Sequence, residues 1–278
     1  MADEIGKPLR DGAAEIQKCA DCCDYFAGNA EEFLANRYVS TNARKSYAAF
    51  DPLDVILAVM PWNFPFWQVF RFAAPSLNVG VLKHASNVSD CALALQDIFE
   101  KAGFPRHVFT TLLIESSRVE KVIRHPLVKA VTLTGSTLAG KSVASIAGSE
   151  LKKSVLELGG SDPYLILEDA DMNLAADTCV KSRLINVGQS CIAAKRFIVV
   201  KSLREEFTRR YVEKFKAIRY GNPRDEQSEI GPLARMDLRD QIHKQVQACR
   251  ASRERSFWWV EISSTDREPT IPQRDSPR

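Results

Sequence analysis

The sequence predicts an α/β fold with a mostly parallel sheet, and three observations predict it. Short, continuous apolar runs recur along the chain, as in Val55–Met60 and Val128–Leu133, and such runs suit strands buried on both faces. Stretches with apolar residues near a 3.6-residue spacing separate them, which is the mark of amphipathic helices. The two kinds of segment alternate, and that alternation belongs to parallel sheets flanked by helices. The composition agrees: 278 residues, 45% hydrophobic and 26% charged, are ordinary for a globular protein.

Taken in order, residues 11–34 read as a helix that Gly28-Asn29 interrupts or bends. Tyr38–Thr41 and Ser46–Phe50 are short β-like runs around the turn-prone Asn42. Val55–Met60 and Val79–Lys83 are buried strands. Ser89–Ala102 is an amphipathic helix that stops at Gly103, with Pro105 just beyond. Val128–Leu133 is a third strand, and a helix begins over Gly140–Gly148. Ser154–Leu158, Tyr164–Leu167 and Phe197–Val200 add strands, and a charged helix covers Leu203–Ile218. From Ser252 to the end, two adjacent tryptophans stand among Pro, Arg, Ser, Asp and Thr with no period. That composition reads as a disordered tail.

Several function classes are disfavoured. A net charge of +3, dispersed along the chain, does not point to nucleic acid. The acidic start Met1-Ala2-Asp3-Glu4 has no apolar run behind it, so no secretory signal is expected. The most apolar stretch, Val55–Pro75, is broken by Asn63, Gln68 and Arg71 and falls short of the roughly 20 residues a membrane helix needs. Seven unevenly spaced cysteines suggest reduced thiols and a cytoplasmic setting. Cys19, Cys22 and Cys23 could suggest a metal, but no second pair or nearby histidine completes a ligand set. With Phe26 they make one face of a helix, where cysteine behaves as a small apolar residue.

Three segments carry chemistry. Cys191 closes the small-residue run Asn186-Val187-Gly188-Gln189-Ser190-Cys191. A lone cysteine is more often a core residue, but here it lies in a loop ahead of a strand, where a thiolate can serve as a nucleophile. Glu157 is followed by Leu158-Gly159-Gly160. It reads either as a surface glutamate at a strand end or as a partly desolvated base that activates water. Asn63 lies in Pro61-Trp62-Asn63-Phe64-Pro65, either as a turn residue or as an amide donor to a developing oxyanion. A nucleophile, a base and an oxyanion donor are the parts of covalent chemistry at a carbonyl. A fourth run, Thr134 to Ser142, satisfies two patterns. Gly135, Gly140, Lys141 and Ser142 have P-loop spacing, with Glu168 and Asp169 as an acidic strand end. The same run also has the spacing Gly-Ser-x-x-x-Gly, from Gly135 to Gly140. In both cases small residues expose amides at a helix N-terminus, where an anion is favoured.

Together, these motifs resemble the aldehyde dehydrogenase family over residues 4–250, most of all its short succinate-semialdehyde dehydrogenases. The lysine run Lys83-His84-Ala85-Ser86-Asn87, Phe72-Ala73-Ala74-Pro75 and Gly231-Pro232-Leu233 carry the likeness further. The resemblance implies a Rossmann-like cofactor-binding domain over 1–158, with an oligomerisation-type hairpin over 34–52. The beginning of an α/β catalytic domain follows over 159–251, and a divergent tail over 252–278. It implies that Cys191 attacks an aldehyde, Asn63 and the Cys191 N–H hold the oxyanion, and Glu157 activates water to release a carboxylic acid. It implies NAD or NADP as cofactor, contacted by Trp62, Lys83, Ser86, Gly135, Ser136, Gly140 and Leu158. Lys83 would bind the adenosine ribose, and Ser86 stands where strictly NAD-using relatives carry a glutamate. No metal is expected, the intact family is expected to form homo-oligomers, and the partner is a small aldehyde.

The chain departs from the family pattern in three ways. About three residues ending in Gly are absent between Leu77 and Asn78. Ile185 stands where an arginine is usual, with Arg183 nearby. Against the resemblance, both ends are expected to be short, and the part expected to be missing includes a Glu-x-Phe-Gly-Pro segment whose glutamate would bind the nicotinamide ribose. Phe257-Trp258-Trp259-Val260, shifted by one base, would read Leu-Val-Gly, so a changed reading frame from about Ser252 is expected. Weak or absent activity follows as an expectation. The other readings are a P-loop-type nucleotide-binding protein, whose Mg-ATP binding would need Lys141, and a non-catalytic fragment that pairs with an intact homologue through the hairpin.

Overall fold

The computed structural model describes residues 1–76 and 79–251. These residues divide into two compact units. One comprises residues 13–159, and the other joins residues 1–12 to the residues from 160 onward.

Helices α1 (Ala2–Ile5) and α2 (Leu9–Leu34) open the chain, followed by a hairpin of β1 (Arg37–Tyr38) and β2 (Tyr47–Ala48). The body of the first unit then alternates β3 (Val55–Met60), α3 (Trp67–Ser76), β4 (Val79–His84), α4 (Ser89–Lys101), β5 (Phe109–Thr111), α5 (Val119–Ile123), β6 (Val128–Thr134), α6 (Thr137–Ser149) and β7 (Lys153–Glu157). Its five strands form one parallel sheet in the order β5-β4-β3-β6-β7. This is the α/β fold that the alternating pattern predicts. Successive residues of β3 point to opposite faces, and Leu57 and Ala58 are both fully buried, so both faces of the sheet are covered at its centre, while edge strand β7 is mostly exposed. On one face Leu57, Val131 and Leu133 pack with Ile123 of α5 and Val143 and Ala147 of α6. Elsewhere Phe99 of α4 stacks between Phe70 of α3 and Phe109 of β5. Gly80 of β4 lies beneath Phe109, where an added Cβ would come within 2.9 Å of the ring.

The topology has one consequence for function. The chain builds outward from β3 to β4 and β5, then returns to the other side of β3 to add β6 and β7. In an open parallel sheet, that reversal leaves a crevice at the carboxyl ends of the strands, and ligands bind there.

The second unit contains a parallel pair, β8 (Pro163–Ile166) and β9 (Arg196–Val199), with α7 (Met172–Leu184), α8 (Arg204–Lys216) and α9 (Met236–Ala251). Ile166, Cys179 and Phe207 form its core, with Tyr164, Phe197 and Tyr211 around them. The Asp171 side chain caps α7 by accepting from the N–H groups of Asn173 and Leu174. The opening residues pack here as well. The Leu9 N–H donates to Pro223 O, and Gly6, at φ 68°, sits so close to Pro232 that a Cβ would approach to 2.6 Å.

Several elements differ from the sequence expectation. Helix α2 starts at Leu9 and runs through Gly28-Asn29 without a break. One glycine costs a helix only about 1 kcal/mol, and the Asn29 side chain bonds back to Tyr25 O instead of ending the turn. The two β-like runs shrink to strands of two residues each, with Tyr38 opposite Tyr47. The helix expected over 140–148 begins at Thr137, capped by Ser136. Helices α1, α3, α5, α7 and α9 and strand β5 go beyond the sequence expectation. The residues expected to be absent lie at the 77/78 junction, and the tail and its altered frame lie beyond 251, so both fall outside the described residues.

Candidate functional site

Four strands of the parallel sheet deliver candidate residues at their carboxyl ends. β3 ends at Met60 and runs into Pro61-Trp62-Asn63-Phe64-Pro65 before α3 begins. This loop and the start of α3 are held by three side chains, two from α2 and one from β4. The buried Glu15 carboxylate of α2 accepts the N–H groups of Phe66 and Trp67, each at 2.9 Å, and so caps α3. Lys18, one turn along α2, sets its ammonium 3.9 Å from the Trp67 ring centroid. His84, at the end of β4, bonds through Nε2 to Pro65 O at 3.0 Å, and its Nδ1 accepts the Ala85 N–H at 3.0 Å. A carbonyl can only accept and an N–H can only donate, so the imidazole is the neutral tautomer with its proton on Nε2. Asn63 is half-buried within this framed loop.

β4 carries Lys83, which is 7% exposed and donates to Ser116 Oγ at 3.3 Å. Burial lowers its pKa below the usual lysine range. Ser86, just past the strand, is exposed. β6 leads to Gly135, whose N–H donates to Glu157 O at 3.0 Å. Ser136 follows, and its hydroxyl accepts the Ala139 N–H at the start of α6. Gly140 lies inside that helix, and a Cβ there would meet Leu158 Cδ2 at 2.6 Å. Gly140 therefore lets Leu158 pack against α6. The run from Gly135 to Ser142 is already helical from Thr137. It does not form the extended loop with which a P-loop wraps phosphate, and Lys141 is an exposed helical residue.

β7 ends at Glu157. Its carboxylate is half exposed and forms an ion pair with Arg71 of α3 at 2.7 Å. The partly desolvated carboxylate expected here is instead solvated and paired, and nothing in the sequence pattern pointed to Arg71.

In the second unit, Cys191 is half-buried in the segment that joins α7 to β9. This segment is tightly specified. Asn186, Val187 and Gly188 have φ of 53°, 60° and 72°, so three successive residues adopt the left-handed region. The conformation is costly for branched Val187, on the order of 1–3 kcal/mol. Arg183, in the last turn of α7, donates to Gly188 O and to Ala194 O, each at 2.6 Å. The Ala194 N–H returns to Ser182 O. Lys195 donates to Cys191 O and Gly160 O, both at 2.6 Å. The Gln189 side chain accepts the Ala234 N–H. Arg183, the nearby cation where Ile185 replaces a usual arginine, is thus committed to backbone carbonyls. Backbone strain and such side-chain clamps leave no periodic trace in a sequence.

Cys19 is buried on α2, with Cys22 and Cys23 half-buried beside it. Burial, reinforced by the Glu15 charge, pushes the Cys19 thiol up to about 12. Among the described residues no group of His, Cys, Asp or Glu could hold a metal ion, and no helix is long and apolar enough to cross a membrane.

The family model described as Aldehyde dehydrogenase family matches residues 1–257. A probable NADP(+) succinate-semialdehyde dehydrogenase of Synechocystis is 53% identical over 250 residues, covering 89% of this chain and 55% of the relative. The NADP(+) succinate-semialdehyde dehydrogenase of Mycobacterium avium is 51% identical over 252 residues, covering 88% and 53%. The solved succinic semialdehyde dehydrogenase of Streptococcus pyogenes, in complex with NADP+, superposes with a TM-score of 0.88 at 36% identity, covering 91% of this chain and 56% of that one. The chain spans about half the length of the curated relatives it matches.

Proposed function

This chain belongs to the aldehyde dehydrogenase family, and from that membership we propose that the whole protein oxidises an aldehyde to a carboxylic acid with NADP or NAD. The substrate is a short aldehyde of the succinate semialdehyde kind, the substrate that the names of its relatives carry. One observation carries the reading. Asn63, Lys83, Ser86, Gly135, Ser136, Glu157 and Leu158 gather at or just beyond the carboxyl ends of β3, β4, β6 and β7, the edge where open parallel sheets bind ligands.

The residues fit a dinucleotide. The N-terminus of α6 lies at this edge, with first-turn N–H groups for a phosphate. Lys83 reaches the same edge as a buried cation, and the exposed Ser86 carries no charge that would repel a 2′-phosphate. Bound there, the nicotinamide would supply a hydride acceptor. The Cys191 thiolate would add to the aldehyde carbon, forming a C–S bond and moving the carbonyl pair onto oxygen. The Asn63 amide and the Cys191 N–H would donate to that oxyanion. Loss of hydride from the same carbon leaves a thioester on Cys191. Glu157 would then take a proton from water as the water oxygen attacks, and cleavage of the C–S bond returns the thiolate and releases the acid. Glu157 serves as this base only after exchanging Arg71 for water. Reduced thiols fit a cytoplasmic setting, and the exposed Tyr38 and Tyr47 of the hairpin fit a contact between copies.

The test is NADPH or NADH formation, followed by absorbance, from succinate semialdehyde and simple aldehydes. The reading predicts turnover that Cys191→Ala abolishes. Turnover that survives this change, or Mg-ATP binding that depends on Lys141, would overturn it.

A further inference from the structure

We propose that Arg183 is a positioning residue that clamps the Cys191 segment into its strained, chemically competent form. Its purpose rests on the reaction proposed above, but the clamp itself rests on geometry. The guanidinium leaves the last turn of α7 and donates one N–H to Gly188 O and another to Ala194 O, each at 2.6 Å. These two carbonyls bracket Cys191 on either side. The Ala194 N–H bonds to Ser182 O, the carbonyl of the residue before Arg183, so both ends of the segment close onto one helical turn. The three left-handed residues, Asn186, Val187 and Gly188, lie between Arg183 and the Cys191 end of the segment, the last of them carrying one of the clamped carbonyls. Such a backbone persists only where its surroundings over-determine it. Arg183 also lies against Gly188 so closely that a Cβ would be 2.9 Å from Nη2 and 3.2 Å from its carbonyl oxygen. The guanidinium is a planar fork, and a lysine ammonium cannot reproduce its two-point grip.

Releasing the clamp lets the left-handed residues relax, and Cys191 loses its fixed position. The thiol then reaches solvent more often while it serves the reaction less well. The experiment measures iodoacetamide labelling of Cys191 in the full chain by peptide mass mapping, with buried Cys179 and exposed Cys249 as internal standards. Arg183→Gln should speed labelling at Cys191 by about tenfold, as expected of a locally opened segment, and leave Cys179 and Cys249 unchanged. Arg183→Lys should fall between this variant and the native chain. Gly188→Ala should give the same selective rise with Arg183 still in place. In turnover, Arg183→Gln should lower kcat with little change in KM for the cofactor.

Unchanged labelling at Cys191 in Arg183→Gln would overturn the proposal. If Cys179 opens in parallel in that variant, Arg183→Lys decides: a selective rise at Cys191 supports the clamp and a parallel rise overturns it. A native chain without turnover would count against the proposed reaction, and the labelling result would still decide the clamp.

Discussion

The two units hold their candidate residues by different means. In residues 13–159 the periodic fold does the positioning. Asn63, Lys83, Gly135 and Glu157 stand at the ends of hydrogen-bonded parallel strands or shortly after them, on a sheet whose central strand β3 is buried on both faces. In the second unit Cys191 lies between α7 and β9, where left-handed backbone and the side chains of Arg183 and Lys195 specify the path. Repeated main-chain bonds specify most of the first arrangement, with side-chain support added at the Asn63 loop, whereas a few charge-assisted bonds to carbonyls specify the second. The first should tolerate single substitutions at the edge of the site. The second should fail locally when one cation is removed.

The most severe way to sharpen this contrast is to remove the proposed nucleophile. Cys191→Ala should reduce turnover by at least about 10⁴-fold, the scale on which losing a covalent nucleophile acts, while circular dichroism and melting stay near native. The thiol is only half-buried, so little core is lost. Asn63→Ala comes next. The loop should survive, because Glu15, Lys18 and His84 hold it elsewhere, and kcat should fall by roughly 10²–10³ with a smaller change in KM. A matching loss of melting temperature would show that Asn63 holds the loop and not an oxyanion.

Legibility follows the same division. The buried strands Val55–Met60 and Val128–Thr134 were readable because their apolar runs are continuous, and their motifs could be placed at the strand ends. Helix α3 was hidden because its apolar residues merge with the strand before it into one stretch from Val55 to Pro75. The short β5, Phe109–Thr111, is too brief to show a period. Glu157 was readable as a candidate, but its ion pair with Arg71 spans 86 positions and leaves no local signal. The same holds for Glu15, which reaches across 51 positions to the Phe66 N–H. In the sequence Arg183 stands out only for its charge near Ile185. Its partners are backbone carbonyls, which carry no sequence signal.

A smaller effect tests the sheet side of the comparison. Glu15→Gln keeps the shape but replaces a charged cap at the start of α3 with a neutral one. The expected cost is about 1–2 kcal/mol, read as a fall of a few degrees in melting temperature. Hydrogen exchange should speed selectively at the Phe66 and Trp67 amides. Exchange that rises equally across β6 would mean that Glu15 supports the whole unit and not this loop.

Lys83 is expected to give the smallest effect, and one of opposite sign. Its ammonium is buried, and burial lowers its pKa, so the folded chain holds this proton less tightly than the unfolded chain does. Folding therefore carries a penalty that is fully present below the lowered folded-state pKa. The penalty shrinks as pH rises through that value and vanishes above the unfolded lysine value near about 10.4. Lys83→Met should thus stabilise the apo chain by about 0.5–2 kcal/mol at neutral pH, the usual gain when a functional residue is exchanged for stability. It should also remove the rise in stability seen on approaching alkaline pH. The same change should weaken NADP binding, measured by quenching of tryptophan fluorescence, because the proposed buried donor to the ribose is lost. A variant that is less stable than the native chain would show that the Ser116 bond outweighs the cost of desolvation, and that Lys83 belongs to the structure of this edge as much as to its chemistry.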